Sequence, residues 1–189
     1  FHFGSAFGLF TQAGTWVWLL VYAIVPVAMA VLLVLQLRAP GTEPPRSVPM
    51  PIWIRLVYAG QATIMILLGI VFFVVPKPAA DLVWPWMLTP LTGRAVGAWL
   101  VGVGIAAGQI AWENDWLRAR IGAISYTLFG FLELVVLLRF ASAQDPATGY
   151  PILAWGDLRT WIYLLFLVSI LAAGAYGWWA AWQAKATAA

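Results

Sequence analysis

With 63% hydrophobic and 9% charged residues among 189, the chain carries far too little charge for a water-soluble domain, which is about a quarter charged. A net charge of +3 with no dense basic patch argues against nucleic acid as a partner, and the lack of cysteine rules out disulfides, thiolate nucleophiles and thiolate-held clusters. The apolar residues fall in blocks of membrane-spanning length. They are too continuous for barrel strands, which alternate apolar with polar. The fold class that follows is all-α membrane, with five transmembrane helices, the last four forming an antiparallel four-helix bundle.

The first predicted span runs from about Thr15 to Leu37. Ala39 to Pro51 follows as a proline-rich polar segment with no apolar period, read as a solvated linker. The second span covers about Ile52 to Val75. Pro76 to Leu88 is too proline-rich to span and is expected to lie along the membrane interface or dip slightly into it. Thr89-Pro90 then places a capping hydroxyl before a proline at the first helical position, opening a third span that ends near Trp112.

In the polar turn that follows, Glu113 and Asp115 read as solvated charges and caps, with Asn114 or Asp115 capping the fourth span, about Trp116 to Phe140. Ser142 to Gly156, with Asp145, Tyr150 and Trp155, is a loop on the same side as Pro76 to Leu88, and the two could form a small cap. Asp157 caps the fifth span, about Leu158 to Trp182. The division is therefore 1–38 as first helix, 39–51 as linker, 52–183 as a four-helix unit and 184–189 as tail. Tryptophans 84, 86, 112, 116, 155, 178, 179 and 182 cluster near span ends, as in an aromatic belt.

Arg38, Arg46, Arg55, Arg118, Arg120 and Lys185 share one side, against Lys77, Arg94, Arg139 and Arg159 on the other. This excess predicts a cytoplasmic C-terminus in a bacterial cytoplasmic (inner) membrane. The first and last spans also match: Thr15-Trp-Val-Trp-Leu-Leu20 against Thr160-Trp-Ile-Tyr-Leu-Leu165. Chance similarity between apolar helices is one explanation. The other is a tandem array of four-helix units, in which the first span is the last helix of a preceding unit and about three further helices lie upstream.

The string Trp84-Pro-Trp-Met-Leu-Thr-Pro-Leu-Thr-Gly-Arg-Ala-Val-Gly-Ala-Trp99 resembles a W-P-W-x-L-T-P-L-T-x-R-x-x-G-A-W signature of uncharacterised multi-span bacterial membrane proteins. The resemblance covers roughly residues 52 to 182 and implies the architecture, not an activity.

Glu133 is the first candidate for chemistry, since a carboxylate within a span costs on the order of 3 kcal/mol and must face protein, be paired or be protonated. At helical spacing it shares a face with Gly130, Tyr126 and Gly122. Ranked by depth, its expected partners are Arg94 and then Gln61; a protonatable role in ion coupling or ligand binding is the sharper alternative. Arg94 can also snorkel to the headgroups. Gly93, Gly97, Gly104 and Gly108 on the third span and Gly122 and Gly130 on the fourth are helix-packing candidates, with Gly97 and Gly104 expected to meet the Gly122–Gly130 face.

The sole histidine, His2, lies outside every span, and no zinc-protease, Walker or dinucleotide motif occurs, so no catalytic residue, metal site or side-chain-held cofactor is expected. The apolar aromatic faces leave room for contact with lipid, quinone or pigment. The expected function is a non-enzymatic accessory or structural subunit whose partners are membrane lipid and other membrane protein subunits. The alternatives are a small-ligand or proton-coupled transporter using Glu133 and a quinone-linked redox protein of DoxX-like type.

Overall fold

In hydrocarbon, backbone polar groups must be satisfied within each segment, so long apolar blocks become helices. The computed structural model describes residues 13–39, 41, 45–144 and 152–187, and its six elements are all helices. The chain divides into two compact units, Phe1–Pro45 and Arg46–Ala189. The first contains α1, Ala13–Arg38, with Pro26 in its interior and Arg38 in its last turn. All of its described side chains are exposed. The expected matches at Thr15, Trp18 and Leu19 concern side chains outside the described set, as do His2, Asp145 and Tyr150.

The second unit holds α2, Ile52–Val74; α3, Pro76–Val83; α4, Pro90–Glu113; α5, Trp116–Arg139; and α6, Leu158–Thr187. Helices α2, α4, α5 and α6 are each long and apolar enough to cross a membrane, which makes this a multi-pass helical membrane protein. The 76–88 segment is not simply a loop: Pro76 opens α3, where its missing N–H costs nothing. Thr89 caps α4 by accepting from the Thr92 N–H at 3.2 Å, and Asp157 caps α6 by accepting from the Arg159 N–H at 2.9 Å.

Pairing differs from the sequence expectation. Helix α2 runs along α4, and α5 along α6, while α4 and α5 meet far less. The glycines decide this. A Cβ built on Gly97 would sit 2.6 Å from the Gly69 carbonyl oxygen, and one on Gly104 would sit 3.1 Å from that of Ala62, so both face α2 and not α5. On α5, Gly130 packs on the Leu171 backbone of α6, and Gly174 of α6 packs on Thr127. Only Gly122 faces α4, against Ile110. A short turn makes α4 and α5 neighbours in sequence, but apart from Gly122 their close-packed glycines point elsewhere.

The linker also departs from expectation, because its last residues are docked. Met50 is buried, and the backbone N–H groups of Ser47 and Val48 donate to Asp115 Oδ2 at 2.6 and 2.8 Å. Asp115 Oδ1 meanwhile caps α5 through Leu117 and Arg118, and Asn114, in the left-handed region at φ 48°, accepts from Met50 at 3.3 Å. Asp115 is thus not a solvated charge: it is 1% exposed. Glu113 instead pairs with Arg118 at 2.8 Å.

Burial works to raise the Asp115 pKa, but four backbone donors outweigh it and hold the carboxyl below the ordinary carboxylate value. A depressed folded pKa means stabilisation that is full above the unfolded pKa, about 3.9, and lost as pH falls through the folded value. Asp115→Ala should cost about 2–4 kcal/mol at pH 7 by orphaning these donors. Thermal melting in detergent should show the gap between wild type and Asp115→Asn constant above about pH 5 and narrowing below about pH 4.

Candidate functional site

The middle of the second unit is joined by a polar chain. Tyr126 of α5 donates to Gln61 Oε1 of α2 at 2.9 Å, and Gln61 Nε2 donates to Ser169 Oγ of α6 at 2.9 Å. Ser169 passes its own hydrogen to the Phe166 carbonyl, and Tyr58 donates to the Ala173 carbonyl at 2.7 Å. Gln61, Tyr58 and Tyr126 are all buried, and the two tyrosine rings touch with centroids 5.6 Å apart. Every one of these groups is spent on a neighbour, as polar groups away from water must be. Gln61 therefore serves Tyr126 and Ser169, not Glu133.

Glu133 lies nearer the other end of α5. Its face continues through Val136, Leu137 and Phe140, which follow at helical spacing and line a cavity of about 200 Å³ with it. Tyr163 of α6 closes one side and donates to Glu133 Oε2 at 3.3 Å. Trp86, after α3, and Ile152 and Leu153, before α6, complete the wall. The segments flanking α3 and α6 thus meet over this end of the protein.

Rings build that meeting. Trp84, Trp86 and Tyr163 form a mutual edge-on cluster with centroids 5.1–5.3 Å apart, and Phe72 of α2 seats Trp84 at 5.4 Å. Such contacts add roughly 0.5–1.5 kcal/mol each beyond burial. Polar ties fix the strands of chain around them: Arg159 reaches the Asp81 carbonyl at 2.8 Å, Ile152 donates to the Ala143 carbonyl at 2.9 Å, and buried Thr160 donates to the Ala154 carbonyl at 2.9 Å. Outside the span, the hydrogen bond from Arg159 holds the Asp157 carboxyl below its usual pKa.

Arg94 is not brought to Glu133. It is exposed, and its Nε donates to the Phe73 carbonyl at the end of α2, at 3.3 Å. Equal depth is not lateral contact: Arg94 sits on the helix that pairs with α2, and Glu133 on the one that pairs with α6. Among the packing candidates, Gly93 faces Pro76, while Gly108 faces Ala62 at an ordinary 3.6 Å. Trp86 belongs to the Pro76–Leu88 segment that the sequence marks as part of a small cap, whereas Tyr163 does not by itself stand out as a site residue. Tyr163 is findable there: it lies five residues into α6, and Glu133 six residues before the end of the antiparallel α5, about the same depth at 1.5 Å per residue.

No cluster of three or more His, Asp or Glu that could hold a metal occurs among the described residues. The cavity offers instead a single carboxylate with aromatic and aliphatic walls. No protein-family model, curated protein or solved structure matches the chain.

The partners assigned to Glu133 can be read energetically. Glu133→Ala and Arg94→Ala should add within about 0.5 kcal/mol in detergent melts, since they share no contact. Glu133→Ala and Tyr163→Phe should couple by about 1 kcal/mol. Coupling to Arg94 instead would restore the ion pair expected from depth.

Proposed function

We propose that the protein is a non-enzymatic accessory or structural subunit of a larger membrane assembly, with five spans, the last four arranged as an antiparallel four-helix bundle. The observation that carries this reading is on the outward face of α4. Ala98, Gly102 and Ala106 recur every fourth residue, all exposed, and the face continues to exposed Gln109. A Cβ on Gly102 would meet nothing within 4 Å. Small residues at this spacing let another helix approach closely, and an amide near the end of the same stripe offers it a hydrogen bond. The inward glycines of α4 are already used against α2, so this outer stripe is a second contact surface on the same helix.

The polar chain through Gln61 favours the same reading. It ties three helices at mid-depth and leaves that region packed, as suits a rigid module. The membrane is expected to be the bacterial cytoplasmic membrane with the C-terminus inside, on the distribution of Arg and Lys. A small-ligand carrier is the second reading, favoured by one feature: Glu133 fronts a cavity rather than a neighbouring cation.

Native mass spectrometry from mild detergent tests the first reading. The 20.7 kDa chain should leave the membrane with a stoichiometric protein partner. Gly102→Ile should reduce that complex at least tenfold while leaving the melting temperature of the isolated chain within about 2 °C, because the added side chain meets no internal neighbour. A lone chain in wild type, or a complex indifferent to Gly102→Ile, would contradict it.

A further inference from the structure

We infer that the cavity between Trp86, Glu133, Phe140 and Tyr163 binds a primary organic ammonium group. The inference shares its cavity with the carrier reading but requires no transport, and it is independent of the outer face of α4.

The carboxylate sets the sign of the ligand. The two oxygens of a carboxyl group offer several acceptor sites, and among the described residues Glu133 receives one hydrogen bond, from a neutral hydroxyl, at 3.3 Å. That is long for an O–H···O contact, whose usual range ends near 3.0 Å. The cation ranked first for it, Arg94, is engaged at Phe73. An acid inside a span and without a charged partner is stabilised by a ligand that brings positive charge and N–H donors together.

The walls do not suit a divalent metal. A divalent metal needs several hard oxygens, and here one carboxylate and one hydroxyl face aromatic and aliphatic carbon. An organic ammonium suits this mixture: its charge is attracted to ring faces, most strongly to tryptophan, and its carbon chain is compatible with Leu137 and Leu153. The volume of about 200 Å³ is sufficient for a small aminoalkyl head. Depth agrees as well. Glu133 is six residues from the end of α5, about 9 Å inside, within the boundary between headgroups and acyl chains.

The ammonium has two sources, an ethanolamine lipid headgroup or a free amine reaching the cavity from water. Three preparations of the full chain separate them: nanodiscs of phosphatidylglycerol alone, the same with phosphatidylethanolamine, and the first with added ethanolamine. Native mass spectrometry after release should show ethanolamine lipid retained in preference to phosphatidylglycerol. Glu133→Gln should lower that preference at least tenfold, and Trp86→Leu, which leaves the acid in place, should lower it severalfold. Retention of lipid without retention of free ethanolamine identifies the headgroup as the source; retention of both identifies the amine itself. Equal retention of the two lipids with no retention of free ethanolamine in wild type, or a preference that survives both substitutions, would overturn the inference. Should Glu133→Gln fail to fold, Trp86→Leu and Tyr163→Phe carry the same test.

Discussion

The second unit is organised around the backbone contact between α2 and α4 at Gly69 and Gly97. A Cβ on either glycine would lie 2.6 Å from the carbonyl oxygen of the other. Lipid tails are as apolar as the side chains they solvate, so spans gain little from apolar burial and associate through close packing and hydrogen bonds. The glycines supply the first. Gly130 and Gly174 do the same for α5 and α6, where Cβ positions would fall 2.9 and 2.6 Å from backbone nitrogens. Two tight pairs result, and the remaining contacts are arranged around them.

Different polar devices join the pairs at different depths. At mid-depth the Tyr126–Gln61–Ser169 chain links α5, α2 and α6. On the side of the α4–α5 turn, Asp115 gathers four backbone donors from two segments and fixes the entry to α2. Arg55 of α2 adds a bond to the Ala111 carbonyl of α4, at 2.9 Å. At the opposite end the joint is aromatic, built from Phe72, Trp84, Trp86 and Tyr163. At that end Glu133 lines a cavity walled by aromatic and aliphatic side chains.

The local pattern of the sequence carries much of this. Thr89-Pro90 and Asp157 mark helix starts with side chains that can do only a few things at those positions, and they cap α4 and α6 in the structure. The four spans α2, α4, α5 and α6 follow from length and hydropathy alone. Lateral choice does not. Gly97 and Gly104 announce a close approach but carry no sign of which helix approaches, and the short turn after Glu113 points to α5 although the contact is with α2. The same ambiguity made Arg94 the expected partner of Glu133. Depth is encoded at 1.5 Å per residue, whereas azimuth depends on all the other helices at once. Asp115 looked like one more surface charge because its linker donors lie 67 and 68 residues away in sequence.

Glycine-mediated pairing of α2 with α4 is best tested by thermal melting of Gly97→Ala beside Gly60→Ala in one detergent. Gly60 also lies on α2, but a Cβ there would meet nothing within 4 Å. Gly97→Ala should lose about 1–3 kcal/mol, because the Gly69 carbonyl and the Phe73 N–H are backbone and cannot yield without parting the helices. Gly60→Ala should be neutral or slightly stabilising, by up to about 1 kcal/mol. If Gly97→Ala melts with or above wild type, α2 and α4 do not pack through these glycines and the pairing scheme is wrong.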